Sequence, residues 1–134
     1  MPQLKFLKSY KLQVTSYNIS DKELIEVYIN ARAFLFASVD EEFGIVLVEA
    51  MGYGLPVIAY KSGGVPETVK DGVNGYLFEK LTPDSLIQKI NKFESLTEKE
   101  RTAMKKQVRK TSEKFSELKF VQHIKEFIHT VSRQ

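Results

Sequence analysis

The sequence contains no cysteine and only two histidines. Without cysteine, the chain has no disulfide scaffold, no thiolate-ligated zinc and no cysteine nucleophile. The histidines, His123 and His129, are six residues apart on a helical pattern. That spacing points them away from each other, whereas metal-ligating pairs usually lie one turn apart. We therefore expect both histidines on a surface, and we expect no metal site.

Long hydrophobic runs are also missing. No apolar stretch approaches the roughly 18 residues that a membrane-spanning helix needs, and the start, Met1 to Lys5, lacks the apolar core of a signal peptide. We expect a cytoplasmic location, with the cytoplasmic face of the membrane as an alternative. The sequence has no Ser-His-Asp arrangement, no phosphate-binding P-loop and no dinucleotide glycine fingerprint. It therefore does not indicate a serine hydrolase, a P-loop nucleotide-binding protein or a dinucleotide-binding enzyme.

The 134 residues suffice for one domain, over 1–134. Charged residues are unevenly spread along the chain. Residues 1–79 carry a net charge of −3, and residues 80–134 carry +6. The basic residues of the second part are scattered along helical patterns: Lys89, Lys92, Lys105, Lys106, Arg109 and Lys110. A solvated helix face explains them, and attraction to an anionic membrane is an alternative. No aromatic-basic stripe is present, so we expect no nucleic-acid partner.

Strand patterns alternate with helix patterns along the chain. The predicted elements are a strand at 11–16, a helix begun by Ser20 or Asp21, a strand at 33–37, a helix at 44–53, a strand at 56–60, a turn at 66–69, a strand at 76–78, a helix capped by Asp84, a helix opened by Thr97, and a final helix at 118–131. The apolar strands are typical of a parallel sheet buried on both faces. The sequence therefore predicts the α/β class, with a Rossmann-like parallel sheet and helices on both faces.

The most informative segment runs from Ser38 to Met51, from the end of a buried strand into a helix. Ligands bind at this position in open parallel sheets. The free N–H groups at the start of the helix form an anion cradle suited to phosphate, made by Phe43, Gly44, Ile45 and Val46. Gly44 has no β-carbon to keep a phosphate or a sugar away from the backbone.

Glu49 stands in an otherwise apolar stretch that we expect to be largely buried. An unpaired carboxylate is costly there, and none of its helical neighbours three or four residues away is basic. Its two oxygens can accept hydrogen bonds from both hydroxyls of a vicinal diol such as ribose. A solvent-exposed glutamate, or one paired with a distant lysine, is the alternative, and spacing alone does not decide.

Glu41 lies in the loop beside the predicted anion cradle. A plain surface acid is the ordinary explanation for such a residue. Its position also favours a second role, in which it accepts hydrogen bonds from sugar hydroxyls. Glu42 is the weaker candidate for that role.

Seven residues separate Glu41 from Glu49, with Phe43-Gly44 after the first and Ala50-Met51 after the second. This spacing resembles the E-x7-E motif of retaining GT-B glycosyltransferases of the group 1, or family 4, type. The likeness continues in order through further segments: 20–24, 31–38, 54–59, 63–67 and 72–77. It covers about residues 11–95, with C-terminal helices at about 84–132, and such ordered agreement is more specific than one short motif.

The resemblance implies that the chain holds a nucleotide-sugar donor, such as a UDP-, GDP- or ADP-sugar. The sugar would pass to an acceptor with retention of configuration, without a metal or a cofactor. Glu49 would bind the ribose hydroxyls, and Glu41 would be the catalytic carboxylate at a hydroxyl of the transferred sugar. The backbone of residues 43–46 would contact the sugar and the diphosphate.

Some parts of the family pattern have no counterpart in this sequence: the acceptor-binding domain, the first glycine loop and the Arg/Lys pair that clamps the diphosphate. We therefore expect a chain that is truncated on its N-terminal side, inactive alone and dependent on an acceptor-binding domain or a partner chain. We also expect exposed apolar surface through which copies self-associate.

Two other functions remain as alternatives. One is a non-catalytic module of the same fold that binds a nucleotide or a partner. The other is a different doubly wound domain, such as a dinucleotide-dependent oxidoreductase, which the missing glycine fingerprint disfavours.

Overall fold

The computed structural model of the chain describes residues 20–40, 42, 44–116, 125, 126, 128, 129 and 131. The chain forms two compact units that divide between Ala31 and Arg32. The strand predicted at 11–16 and most of the helix predicted at 118–131 lie outside the described residues. Within the described part of the chain, no helix is both long and apolar enough to cross a bilayer.

Helix α1 (Asp21–Asn30) is the described element of the first unit. The predicted capping box is confirmed: the Ser20 hydroxyl accepts the Glu23 N–H at 3.3 Å, and the Ser20 N–H donates to the Glu23 carboxylate at 2.7 Å. The Ser20 N–H and the Ser20 hydroxyl both donate to the Glu23 carboxylate, and these two hydrogen bonds lower its pKa. The predicted apolar stripe is only partly buried, since Tyr28 is buried while Ile25 and Ile29 are exposed.

The second unit contains three parallel strands in the order β1 (Phe34–Phe36), β2 (Val57–Tyr60) and β3 (Gly75–Phe78). Strands β2 and β3 are almost wholly buried, as their continuous apolar sequences predict. Strand β1 differs, because Leu35 is exposed and its two phenylalanines are half-buried. The prediction of the α/β class with a Rossmann-like parallel sheet is confirmed.

Four helices follow the strands: α2 (Ile45–Gly52), the short α3 (Val65–Thr68), α4 (Pro83–Glu94) and α5 (Glu98–Lys114). Thr97 opens α5 with the predicted capping box, in which Glu100 is the partner. The cap predicted for α4 is wrong. Thr82, not Asp84, accepts the Ser85 N–H, because Pro83 occupies the first helical position and puts Asp84 inside the first turn.

Helix α2 ends in a Schellman turn, in which a residue with positive φ lets two late N–H groups bond back into the helix. Gly54 has φ 81°, which a glycine adopts without a steric penalty. The Leu55 N–H donates to the Ala50 carbonyl at 3.1 Å, and the Gly54 N–H donates to the Met51 carbonyl at 2.9 Å. Leu55 is buried, so the turn also fixes the chain as it enters β2.

The core lies between the sheet and helices α2, α4 and α5. It is lined by side chains such as Leu47, Ile58, Phe78, Phe93 and Val108. One glycine is needed for the strands to approach each other. A β-carbon on Gly75 would collide with the carbonyl oxygen of Val57, its register partner in β2, and would lie 2.9 Å from that residue's carbonyl carbon.

Asn74 lies fully inside the protein at the amino end of β3. Its amide nitrogen donates to the Thr68 carbonyl and to the Thr111 hydroxyl, both at 2.9 Å. Its amide oxygen accepts the Lys70 N–H at 2.8 Å. The sequence predicts only a turn at 71–75, whereas the structure shows that Asn74 joins this turn to helix α5.

Candidate functional site

The candidate site lies at the carboxyl edge of the sheet, where the loops after β1 and β2 meet because the two strands are parallel. The loop after β1 leads through residues 37–44 into α2, as the sequence predicts. Glu41 and Phe43 lie outside the described residues, so the structure places neither. Gly44, Ile45, Val46 and Glu49 are described.

Gly44 precedes α2 in a left-handed conformation, with φ 64° and ψ 46°. The N-cap is a glycine, which has no side chain to cap the helix, and the first backbone bond runs from the Leu47 N–H to the Gly44 carbonyl at 2.9 Å. The N–H groups of Ile45 and Val46 precede that bond at the positive end of the helix. The start of α2 can therefore accept an anionic group.

Helix α2 has one buried face and one open face. Leu47, Ala50 and Met51 are completely buried, while Ile45 is 69% exposed and Val46 is 36% exposed. The prediction that this helix is largely buried is wrong. The neighbouring sheet and helix cover only one side, and an apolar pattern that extends all round does not specify which side stays open.

Glu49 lies on the open face and is exposed. Within the described residues it has no ion-pair partner. The sequence places Glu49 in a helix that is predicted to be largely buried, which would make its unpaired charge costly. Because Glu49 is exposed, that cost is absent. The structure agrees with the alternative of a solvent-exposed glutamate, and this exposure also leaves both carboxylate oxygens accessible to a ligand.

Glu49 borders a groove of about 500 Å³ between α2 and the end of α5. Its lining is mostly apolar, and comprises Ile45, Val48, Glu49, Gly52, Ser112, Glu113, Phe115 and Ser116. Such a groove combines a carboxylate with an apolar wall and can hold a polar, ring-containing molecule. The α5 side of this groove could not be predicted from the sequence, because residues 112–116 are more than 60 positions away from Glu49 in the chain.

Asp40 and Ser62 connect the two loops at this edge. The Asp40 N–H donates to the Ser62 hydroxyl oxygen at 2.9 Å across 22 residues of sequence. Asp40 has φ 57° and is the one non-glycine residue with positive φ in the described part of the chain. That conformation costs most residues with a β-carbon about 1–2 kcal/mol, and aspartate tolerates it better than most. Nothing local in the sequence indicates the Asp40–Ser62 pair.

The remaining candidates from the sequence are the two histidines and a metal site. His129 is exposed on a helical segment, as predicted, and His123 lies outside the described residues. Among the described residues, no group of three His, Asp or Glu side chains is placed to hold a metal ion. The metal independence expected from the resemblance stays a prediction.

Comparison with known proteins supplies the family. The family model described as "Glycosyl transferases group 1" matches residues 4–111. The lipopolysaccharide 1,2-N-acetylglucosaminetransferase of Salmonella typhimurium is 47% identical over 66 residues, which are 48% of this chain and 17% of that protein. The chain spans about a sixth of the length of the curated relatives it matches.

Solved structures show the same similarity. HepE of Anabaena, in complex with UDP, matches with a TM-score of 0.69 and 30% identity over 78% of this chain and 29% of its own. Sucrose-phosphate synthase from Thermosynechococcus elongatus matches with a TM-score of 0.71 and 26% identity over 99% of this chain and 35% of its own. These are GT-B enzymes, which agrees with the parallel sheet described above. With most of its residues matched by the family model, the chain belongs to the group 1 glycosyl transferases.

Proposed function

We propose that this chain is the donor-binding half of a retaining sugar transferase that uses a nucleoside-diphosphate sugar. The observation that carries the proposal is the position of Glu49, exposed one turn beyond an uncapped helix start at the carboxyl edge of the sheet. Anion binding at the helix start and diol binding at Glu49 together match a nucleoside diphosphate. The similar HepE structures contain UDP and UDP-glucose, which supports this class of donor.

In the proposed site, the Glu49 carboxylate accepts hydrogen bonds from the two ribose hydroxyls. The N–H groups at the start of α2 bind the diphosphate, and Glu41 accepts a hydrogen bond from the transferred sugar. The roles of Glu41 and Phe43 rest on the sequence resemblance alone. The acceptor hydroxyl oxygen bonds to the anomeric carbon on the face that the diphosphate leaves. The diphosphate takes the bonding electron pair, and its oxygen receives the hydroxyl proton.

We also propose that the chain binds the donor but does not transfer sugar alone. A diphosphate that leaves without a cationic clamp loses a large electrostatic stabilisation, and no clamp is matched in this sequence. An acceptor-binding domain or a partner chain would supply it. A nucleotide-release assay with UDP-glucose should stay at background for this chain alone, and release above background would refute this part. If release stays absent after an acceptor-binding domain of a relative is added, the non-catalytic binding module is favoured.

The role of Glu49 can be tested by calorimetry with UDP and with 2′-deoxy-UDP. Glu49→Ala should weaken UDP binding about 100-fold, because two hydrogen bonds to a charged group are lost. It should change the affinity for 2′-deoxy-UDP much less. Glu113→Gln is the matched control, since Glu113 borders the same groove, and it should bind UDP like the wild type. Equal UDP binding by Glu49→Ala and the wild type would refute the role of Glu49 in ribose binding. Titrations with GDP and ADP test which base the site prefers.

We further propose that α5 contacts an anionic membrane surface. Lys105, Lys106, Arg109 and Lys110 are all exposed, and within the described residues none pairs with a carboxylate. Four such cations on one helix attract anionic lipid by about 1 kcal/mol each. In co-sedimentation with phosphatidylcholine vesicles, binding should require added phosphatidylglycerol. It should fall about 30-fold or more in Lys105→Glu/Lys106→Glu, because two such contributions are lost, but not in Lys80→Glu. Binding to duplex DNA without vesicle binding would refute the proposal.

A further inference from the structure

The loops after β1 and β2 each carry one half of a cross-loop hydrogen bond. The Asp40 N–H is the donor and the Ser62 hydroxyl oxygen is the acceptor, at 2.9 Å. Asp40 follows β1 by four residues, and Ser62 follows β2 by two residues. Since β1 and β2 are adjacent and parallel, this bond joins their loops at the edge where α2 begins.

Asp40 has a left-handed backbone and is bonded by a side chain from outside its own loop. Its φ of 57° is a conformation that glycine adopts freely and that costs a residue with a β-carbon some free energy, less for aspartate than for most. Gly44, four residues later, has φ 64° and is buried. The chain thus turns at Asp40 and again at Gly44 before α2 starts. The first of these turns is held by a side chain from another loop.

The first turn lies close in sequence to the proposed donor ligands. Gly44, the N-cap of α2, stands four residues after Asp40, so only a short length of chain separates this turn from the Ile45 and Val46 N–H groups. The Asp40 carboxylate need not touch the ligand for this turn to influence them. What matters is that its N–H remains bonded to Ser62.

We propose that Ser62 is a positioning residue for the donor site, acting through its hydrogen bond to the Asp40 N–H. The inference rests on the proposed function, in which this edge of the sheet binds a nucleoside diphosphate. Ser62 holds the left-handed turn at Asp40 and thereby pre-organises the start of α2, so less ordering accompanies ligand binding.

The test uses the whole chain with two readouts, namely amide hydrogen exchange at Asp40 by NMR and UDP affinity by calorimetry. Ser62→Ala should speed exchange of the Asp40 amide at least tenfold and weaken UDP binding several-fold. Ser62→Thr keeps a hydroxyl acceptor and should restore both. Ser95→Ala, which removes a serine hydroxyl at the end of α4, should leave both unchanged.

A second variant separates backbone strain from folding defects. Asp40→Gly adopts the same φ without penalty, so in that background Ser62→Ala should weaken UDP binding less than it does in the wild type. Equal losses in the two backgrounds would overturn the positioning role. Unchanged Asp40 exchange in Ser62→Ala would overturn it as well, as would faster exchange with unaltered UDP affinity. If the wild type binds none of UDP, GDP and ADP, the proposed function fails, whatever the exchange experiment shows about the hydrogen bond itself.

Discussion

Asn74 shows how one polar side chain stabilises this fold at the residue scale. Its amide oxygen accepts a bond from the turn before β3, and its amide nitrogen donates to the end of α3 and to α5. The bond to the Thr68 carbonyl is buried and the other two are part-buried, and an unpaired buried group costs more than a bond gains. The residue therefore contributes more to stability than its place in an Asp-Gly-Val-Asn-Gly turn sequence indicates.

We expect Asn74→Ala to reduce the free energy of unfolding by about 3 kcal/mol, because it removes three hydrogen bonds and takes this partner from the buried Thr68 carbonyl. Chemical denaturation by urea, followed by circular dichroism, measures this change. Asn91→Ala, on the exposed side of α4, is the control and should stay within about 0.5 kcal/mol of the wild type. A loss below about 1 kcal/mol for Asn74→Ala would contradict the account.

Gly75 offers a second prediction at this scale. Gly75→Ala would bring a β-carbon against the Val57 backbone, so the strands must separate or the chain must unfold. We expect a lower melting temperature by calorimetry, with a loss of about 3 kcal/mol or more. Gly52→Ala has open space around the new β-carbon and should instead raise stability by about 0.5–1 kcal/mol through helix propensity. If both variants melt like the wild type, the close approach is not a constraint.

At the scale of elements, the two capping boxes and the two buried strands could be predicted from the sequence, and how much of each element is covered could not. The capping boxes at Ser20 and Thr97 are local, since donor and acceptor lie three residues apart. Strands β2 and β3 follow from continuous apolar runs. The open face of α2, by contrast, depends on where α5 packs. The Asp40–Ser62 bond likewise depends on strand register, and no local pattern encodes either.

The capping box of α5 predicts a pH dependence of stability. The Thr97 N–H and hydroxyl donate to the Glu100 carboxylate at 2.7 and 2.9 Å, and these bonds lower the pKa of Glu100. The folded state therefore favours the ionised form. Its contribution is present above the ordinary carboxyl pKa and is lost as the pH falls through the lowered value.

Thermal unfolding measured from neutral pH down to about pH 3 should show this loss. Glu100→Gln should lower stability at neutral pH and flatten its decline on acidification. Glu98→Gln changes the same helical turn without these bonds to Thr97, and it should keep the wild-type slope. Parallel pH profiles for Glu100→Gln and the wild type would argue against the capping contribution.

At the scale of the whole molecule, the second unit leaves large apolar side chains uncovered. Leu35, Val39 and Ile45 are each more than half exposed; Leu35 lies on β1, Val39 on the segment after it and Ile45 at the start of α2. Strand β1 is also an edge of the described sheet. Exposed apolar groups next to a strand edge favour association with another chain.

We expect the chain to self-associate as its concentration rises, and sedimentation velocity measures this. Leu35→Ser should shift the distribution toward the monomer, because it removes an apolar side chain from the middle of the edge strand. Val73→Ser, at an exposed apolar position beside the turn before β3, is the control and should not. A wild type that stays monomeric at every concentration would show that this surface does not associate.

The two ends of the sheet carry different features. Asn74 and Gly75 lie where the strands begin, and Ser62 and Gly44 lie beyond where they finish. Directed evolution of this protein therefore has two separable targets. Changes near Gly75 should alter its heat tolerance and leave the proposed donor site intact, and changes at the exposed positions Ile45 and Val46 should alter the proposed donor site at little cost in heat tolerance.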